Sequence, residues 1–412
     1  MKLAKVAAAL AVGLPALAGC YSDQSLNPPV LNNPMFRRYI AIGTSISAGF
    51  QSLGWNDSTQ KRAFPVLFAA AAGAPFAYPQ FAGRGCPPPL VTNAPLSRPP
   101  GTDATTCDLR ATPVPQYLNS LAVPGVTVIG ALDNDSTSLA TDPTYLALTT
   151  FVLGGSTEIN RMRQAQPTFV SVELGADDVL GALIDTTNPG NVLQITDTTV
   201  FKARYDRILD SVDATGAAAV LSTVPDVTNL GFASFGSIYW CLKNAPACGF
   251  SPPAPFPANF TVTVACAPQV AVPTSRGDSI LVPWSVGIRK LLTAAQGLAQ
   301  TLDCGDDLEV VTPTEFAAMR TATASFNNHI QAQATARGYA VVDANQVLGG
   351  LVATGAILPF PDLSAVATSG LVNFGTALSL DGFHPSSLTH RIIADSIASA
   401  VNRKYGTSVV GP

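Results

Sequence analysis

One loop of this chain contains residues that could act as a catalytic base. It reads Asp381-Gly382-Phe383-His384-Pro385 and stands just before a predicted C-terminal helix. An Asp three residues before a His can bind the imidazole through Nδ1, which leaves Nε2 free to accept a proton from a serine hydroxyl. The alternative is a solvated His in a surface loop, with Ser386 as the N-cap of the helix. Because the chain has only three histidines, finding one in this pattern favours the catalytic interpretation.

A serine that could supply the nucleophile follows the first predicted strand. The segment Gly43-Thr44-Ser45-Ile46-Ser47-Ala48-Gly49 comes directly after the apolar run 39–42. A serine between glycines on such a tight turn is presented to a reactant, although Ser and Gly are also ordinary turn residues. Together with a base at His384, Ser45 predicts nucleophilic catalysis. Ser47 is the alternative nucleophile in the same turn.

The elements that must position these loops alternate between strands and helices. Apolar runs ended by turn residues predict strands over 39–43, 168–174, 217–224 and 339–343. Apolar residues at helical spacing predict helices that begin at or near Pro65, Phe201, Pro313 and Leu388 and end before Gly73, Gly216, Gly338 and Gly406. This alternation predicts a parallel sheet covered by helices on both faces. The functional loops of such sheets gather at the carboxyl ends of the strands.

At these residues the sequence resembles the SGNH (GDSL-type) esterases and lipases. The family's nucleophile block is matched by Gly43-Thr44-Ser45, and its oxyanion-hole glycine by Gly125. Its third block is matched by Gly175-Ala176-Asp177-Asp178, and its final D-x-x-H block by Asp381 with His384. The four matches occur in the family's order. The resemblance implies an α/β fold over 36–408, a three-layer α/β/α sandwich around a flavodoxin-like parallel sheet. It also implies a carboxylic ester hydrolase that uses no metal or organic cofactor, and a small-molecule or lipid ester as its substrate.

The resemblance assigns a role to each matched residue. Ser45 attacks the ester carbonyl, His384 takes the serine proton, and Asp381 orients the imidazole. The backbone N–H groups of Ser45 and Gly125 receive the oxyanion. Asp177 stands where the family has an Asn, and an ionised carboxylate has no proton to donate to an oxyanion. Thr44 replaces an Asp of the family block, which is not a reacting group.

Other functions remain open on the same fold. One is a polysaccharide deacetylase or a phospholipase, and another is a catalytically weak or inactive surface lipoprotein that binds esters or glycans. A structural protein of the cell envelope is a third. The two other histidines, His329 and His390, fall inside predicted helices without acidic residues at useful spacing, and we expect both to lie on the surface.

Residues 231–311 interrupt the alternation and predict an insertion rather than a separate domain. The insertion contains four of the six cysteines that follow Cys20, and six cysteines allow 15 disulfide connectivities. Their grouping favours Cys86 with Cys107, Cys241 with Cys248, and Cys266 with Cys304 over a zinc site, because no C-x-x-C is present. The aromatic residues of the insertion either line an acyl pocket or pack its own small core: Phe232, Phe235, Tyr239 and Trp240.

The N-terminal region predicts export and lipid anchoring. Residues 1–19 have a short positive start and an apolar stretch too short to span a bilayer, which is typical of a signal peptide. The junction Leu17-Ala18-Gly19-Cys20 resembles the lipobox of bacterial lipoproteins, and residues 20–35 predict a polar, Pro-rich tether. Tyr21 after the cysteine favours the outer membrane within the bacterial cell envelope. An ordinary secretory signal is the alternative.

Composition excludes one class of partner. The chain has 23 Lys and Arg against 27 Asp and Glu, a formal charge of −4, and it has no basic cluster. Proteins that bind nucleic acid need a positive surface, so we expect no nucleic-acid partner. Hydrophobic residues make up 47% of the chain and charged residues 12%, which is enough apolar material for a large core.

Overall fold

The computed structural model describes residues 33–141, 143–244 and 256–412. The strands are β1 Tyr39–Gly43, β2 Thr92–Asn93, β3 Leu96–Ser97, β4 Phe169–Glu173, β5 Ala218–Ser222, β6 Ala233–Phe235, β7 Phe260–Val262, β8 Leu281–Pro283, β9 Gln300–Leu302 and β10 Ala340–Val342. The α-helices are α1 Ser45–Ala48, α2 Asp57–Gln60, α3 Phe64–Ala72, α4 Val128–Asp133, α5 Pro143–Leu153, α6 Glu158–Ala165, α7 Asp177–Ile184, α8 Thr198–Asp213, α9 Gly236–Asn244, α10 Trp284–Ala295, α11 Pro313–Arg337, α12 Ala344–Ala353, α13 Val366–Ser369 and α14 Ser387–Tyr405.

The central sheet is parallel, with the strand order β1-β4-β5-β10. Residues 119–123 run along the edge of β1 opposite β4. There the Leu121 N–H donates to the Ala41 carbonyl at 2.8 Å and the Val123 N–H to the Gly43 carbonyl at 3.1 Å. Every residue of β1 and β4 is buried. A sheet buried on both faces needs a helical layer on each side. The predicted three-layer α/β/α arrangement is therefore confirmed.

The two faces of the sheet pack into two separate hydrophobic clusters. On β1, Tyr39 and Ala41 point into the cluster beneath α3 and α14, whereas Ile40 and Ile42 point into the larger cluster beneath α4, α6, α8 and α11. This alternation follows from the pleat of a strand, which sends successive side chains to opposite faces. The predicted strands and helices are all present. A capping box of Thr312 and Glu315 opens α11.

Among the described residues, the segment predicted to be an insertion contributes two small sheets and two α-helices. It carries β6 to β9 with α9 and α10, and a disulfide joins Cys266 to Cys304 within it. A second disulfide joins Cys86 to Cys107. These two predicted pairings are confirmed. The third predicted pairing involves Cys248, which lies outside the described residues, as do Cys20, the predicted signal peptide and most of the tether.

The surface placement expected for two histidines is wrong. His390 is fully buried on α14, where its Nδ1 accepts the Phe64 N–H at 3.3 Å, and burial lowers its pKa to about 3. His329 on α11 is largely buried, and its Nε2 lies 2.7 Å from Oδ1 of Asp206 on α8. Both partners come from other helices, so spacing along one helix could not reveal them. In the described part of the chain, no helix is both long and apolar enough to cross a membrane.

Candidate active site

Three predicted residues meet at the carboxyl end of β1. Ser45 is the first residue of α1, and His384 and Asp381 lie in the loop before α14. Nε2 of His384 lies 2.9 Å from Oγ of Ser45, and Nδ1 of His384 lies 2.8 Å from Oδ2 of Asp381. All three are buried, with exposed fractions of 6% for Ser45 and His384 and 1% for Asp381. The geometry is that of a nucleophile, a base and an orienting acid.

Asp381 is held in its ionised form by the donors around it. Oδ1 accepts the His384 N–H at 2.9 Å, the Phe383 N–H at 3.1 Å and the Ser379 hydroxyl at 3.0 Å, while Oδ2 also accepts the Leu53 N–H at 2.8 Å. Burial opposes ionisation, but the charge and hydrogen bonds of His384 together with the Leu53 N–H hold the pKa of Asp381 below its usual range. An ionised Asp381 fixes the proton of His384 on Nδ1 and leaves Nε2 as an acceptor.

The hydroxyl of the alternative nucleophile points elsewhere. Oγ of Ser47 donates to Oε2 of Glu173 at 2.9 Å. Of the two serines in the turn, Ser45 is therefore the one that contacts His384. The turn is tight as well: a Cβ on Gly43 would lie 2.6 Å from the Glu173 carbonyl oxygen, which explains the glycine two residues before Ser45.

The predicted oxyanion-hole glycine lies on the neighbouring edge of the sheet. Residues 119–123 pair with β1, and Gly125 follows them with φ +81°, a left-handed conformation that favours glycine. The Tyr145 hydroxyl donates to the Gly125 carbonyl at 3.0 Å, and a Cβ on Gly125 would collide with that hydroxyl. Within the described residues, the backbone N–H groups of Gly125 and Ser45 have no acceptor. Both donors are thus available to a ligand.

Asp177 is the first residue of α7, just beyond the end of β4. Its Oδ2 is buried and has no hydrogen-bond partner among the described residues. Burial, and then the nearby charges of Glu173 and Asp178, raise the pKa of Asp177 well above its ordinary value. A protonated Asp177 has one O–H to donate, which is what the family's Asn supplies through its amide.

Sequence reasoning missed two buried acids behind the turn of Ser45. Glu173 at the end of β4 accepts hydrogen bonds from Thr44 and Ser47. Glu158 on α6 accepts the Gly43 N–H at 3.1 Å and the Val123 N–H at 2.9 Å. The available signal was an acidic residue in an otherwise apolar strand, Phe-Val-Ser-Val-Glu, which is unusual in a sheet buried on both faces.

An apolar cavity of about 100 Å³ opens beside Ser45 and His384. Its walls come from α7, α12, the loop after β5 and the loop before α14, and they include Leu180, Val227, Leu230, Leu348 and Leu351. The insertion lines a different and larger cavity of about 930 Å³, through Trp284 and Phe256.

The aromatic residues of the insertion pack within the protein instead of lining the cavity at Ser45. Tyr239 is fully buried against Phe360, and Phe235 packs on Phe316. Phe232 contacts Phe383, the neighbour of His384, with ring centroids 5.5 Å apart. These partners lie outside residues 231–311, so the rings pack against the rest of the domain and not in a small core of the insertion's own. Phe232 still brings the insertion to the edge of the site.

Comparison with known proteins identifies one family. The model for GDSL-like lipase/acylhydrolase matches residues 39–397. The fold is similar to that of an acetylxylan esterase from Geobacillus stearothermophilus (12% identity, TM-score 0.36, covering 91% of this chain and 96% of that one). It is also similar to that of TesA (12% identity, TM-score 0.33, covering 89% of this chain and 98% of that one). A third similar structure is an extracellular lipase from Streptomyces rimosus (13% identity, TM-score 0.35, covering 88% of this chain and 98% of that one). No curated protein matches the chain in sequence.

Proposed function

Because this chain belongs to the GDSL-like lipase/acylhydrolase family, we propose that it hydrolyses carboxylic esters with Ser45 as the nucleophile. The observation that carries the proposal is the continuous chain of contacts from Asp381 through His384 to Ser45. The oxygen of a neutral serine is a weak nucleophile and needs an adjacent base. In this site Nε2 of His384 is within hydrogen-bond distance of that oxygen.

The reaction takes place in two halves. Oγ of Ser45 attacks the carbonyl carbon while its proton moves to Nε2 of His384, and the carbonyl becomes a tetrahedral oxyanion. When this intermediate collapses, His384 gives the proton to the leaving alkoxide, and an alcohol departs from an acyl-serine. Water then attacks the acyl-serine, His384 takes a proton from the water and returns it to Oγ of Ser45, and the carboxylic acid leaves. Asp381 stabilises the imidazolium in both halves.

The oxyanion is stabilised by donors that are already in place. The N–H groups of Ser45 and Gly125 have no acceptor among the described residues, so they can point at the oxyanion without first breaking another bond. Asp177 acts as the third donor while it is protonated. Its buried and unpartnered Oδ2 supports this role.

The cavity beside Ser45 supports a preference for a short aliphatic acyl group. Its walls include the leucines at 180, 230, 348 and 351, so it favours hydrocarbon over a polar group. A volume of about 100 Å³ holds about three groups the size of a water molecule. We expect the acyl chain to occupy this cavity and the alcohol to face solvent.

Turnover of p-nitrophenyl esters of graded chain length tests the proposal. Ser45→Ala and His384→Ala should each remove nearly all activity, and their losses should not add because the two residues act as one unit. A fluorophosphonate probe should label the wild type but not Ser45→Ala. Ser211→Ala is the matched control, because the Ser211 hydroxyl bonds only to a carbonyl of its own helix. A fully active Ser45→Ala would refute the assignment, and an inert, unlabelled wild type would favour a binding protein.

We also propose that the chain is exported and acylated on Cys20 in the bacterial cell envelope. The lipobox-like Leu17-Ala18-Gly19-Cys20 supports this, and so do two disulfides, which persist in oxidising compartments. Metabolic labelling with a fatty acid should be lost in Cys20→Ser. Unchanged labelling of that variant would exclude this anchor.

A further inference from the structure

Glu173 binds the turn that carries Ser45 from both sides. Its carboxylate accepts the Thr44 N–H at 3.2 Å and the Thr44 hydroxyl at 3.0 Å. It also accepts the Ser47 N–H at 3.2 Å and the Ser47 hydroxyl at 2.9 Å. Thr44 directly precedes Ser45, and Ser47 lies two residues after it. One side chain on β4 therefore fixes the backbone on both sides of the nucleophile.

A carboxylate in this position is costly for the fold. Glu173 has an exposed fraction of 7%, and burial raises its pKa to about 7 against the lowering effect of the Ser47 and Thr44 hydrogen bonds. Within the described residues, no Lys or Arg forms an ion pair with it. The four hydrogen bonds from the turn offset the free-energy cost of burying this carboxylate. A buried acid that bonds only to the turn of the nucleophile indicates a role in the site.

We propose that Glu173 is a positioning residue for the esterase reaction, which keeps Oγ of Ser45 on His384 and the Ser45 N–H on the oxyanion. The inference rests on the proposed function. By binding Thr44 and Ser47, the carboxylate occupies the donors on either side of Ser45 and leaves the Ser45 N–H without an acceptor among the described residues. Loss of these bonds frees the turn to shift, and a misplacement of about 1 Å can cost about 10²-fold in rate.

The titratable groups around Glu173 determine which acid is charged. Glu158 faces it from α6, Asp177 from α7 and Tyr205 from α8, and His384 borders the same cavity. Asp178, the next residue on α7, acts on Asp177. Glu173 has four donors, whereas Oδ2 of Asp177 has none among the described residues. A negative charge is therefore best placed on Glu173, and it disfavours a second charge on Asp177. The acid that positions the turn also keeps its neighbour protonated.

The test compares Glu173→Gln with Ser171→Ala. Ser171 lies on the same face of β4, two residues earlier, and its hydroxyl is 2.8 Å from the Tyr39 hydroxyl, so the control also loses a buried hydrogen bond. Glutamine keeps the shape of Glu173 but places an NH₂ group against donors. We expect kcat to fall about 10²-fold with little change in KM. Ser171→Ala should lose stability and keep the kcat of the wild type.

The pH profile separates positioning from general destabilisation. Wild-type activity needs an ionised Glu173, so kcat/KM should fall as the pH drops through about 7. Glu173→Gln has no carboxyl to protonate at this position. The slope of log kcat/KM against pH on the acid side should therefore be smaller than in the wild type by about one. Thr44→Val combined with Ser47→Ala keeps the carboxylate and removes two hydroxyl donors, and it should also lower kcat with little change in KM.

Fluorophosphonate labelling of the wild type is measured first. A wild type that is neither labelled nor active refutes the proposed function itself. If the wild type is labelled and folded Glu173→Gln keeps its kcat and pH profile, the positioning role of Glu173 is wrong. Where Glu173→Gln does not fold, an unchanged kcat in the Thr44 and Ser47 double variant overturns the inference in the same way.

Discussion

Replacing Asp381 by Asn changes a single atom at the centre of the hydrogen-bond network. In the wild type Oδ1 accepts two backbone N–H groups and the Ser379 hydroxyl, while Oδ2 accepts Nδ1 of His384 and the Leu53 N–H. The asparagine oxygen accepts three hydrogen bonds if it takes the position of Oδ1, but only two if it takes the position of Oδ2. We therefore expect it at the position of Oδ1. Its NH₂ group then takes the position of Oδ2, where it faces His384 and Leu53.

The expected loss of activity follows from the tautomer of His384. An NH₂ group donates a hydrogen bond, so Nδ1 of His384 must become the acceptor, and the ring proton moves to Nε2. Nε2 lies 2.9 Å from Oγ of Ser45 and, once protonated, cannot take the serine proton. We expect kcat to fall about 10⁴-fold, the size of loss that a wrong tautomer causes in such a triad.

The same substitution lowers stability in a pH-dependent way. The Leu53 N–H loses a charged acceptor, which costs about 1.5–3 kcal/mol in the free energy of unfolding at neutral pH. Because the pKa of Asp381 is lower in the folded than in the unfolded chain, its ionised form stabilises the fold above its ordinary pKa. This contribution is lost as the pH falls through the folded-state pKa. The difference in stability between wild type and variant should therefore shrink in acid.

Ester turnover and urea unfolding across the pH range test both expectations. Asp343→Asn is the matched control, because Asp343 also stands after a strand and accepts two backbone N–H groups, from Asn345 at 2.9 Å and Gln346 at 3.3 Å. It should keep the kcat of the wild type. A folded Asp381→Asn with a kcat near wild type would refute the tautomer argument, and a stability difference that grows in acid would refute the pKa argument.

Three further predictions concern the oxyanion, the acyl cavity and the insertion. Asp177→Asn should keep or raise kcat at pH 8 and flatten any fall in kcat as the pH rises, because an amide cannot lose the proton that a buried carboxyl loses. A drop in kcat of about 10²-fold or more would show that the carboxylate has another task. Leu348→Trp should fill the cavity and shift the preferred p-nitrophenyl ester toward acetate, whereas an unchanged preference would place the acyl chain elsewhere. Replacing Cys266 and Cys304 by Ser opens a 38-residue loop and should lower the free energy of unfolding by about 4 kcal/mol without changing kcat, and a large loss of kcat would link the insertion to the reaction.

The parts of the site that could be predicted are those carried by short local patterns. Asp381 and His384 are three residues apart, and Ser45 follows a clear strand, so spacing suggested a base beside a serine nucleophile. The family resemblance then favoured Ser45 over Ser47. The parallel sheet followed from the alternation of strands and helices, which depends on local apolar periodicity. Two disulfides followed from the grouping of the cysteines along the chain.

The parts that could not be predicted depend on contacts between distant segments. Glu173 and Ser47 are 126 positions apart in the sequence, and His390 contacts the N–H of Phe64 across 326 positions. No periodicity within one element reports such a pair. A Glu in an apolar strand is an unusual residue for a buried sheet, but its role becomes visible only once β1 is placed beside β4.

The number of hydrogen-bond donors around each buried acid explains why some carboxyls of the site are ionised while others stay protonated. Asp381 has five donors, and its pKa is lowered in spite of burial. Glu173 has four donors from one turn, and its pKa is raised to about 7. Asp177 has an oxygen with no donor in the described part of the chain, and its pKa is raised well above its ordinary value. On the proposed mechanism, activity needs Glu173 ionised and Asp177 protonated, so these two acids bound the active pH range from below and from above.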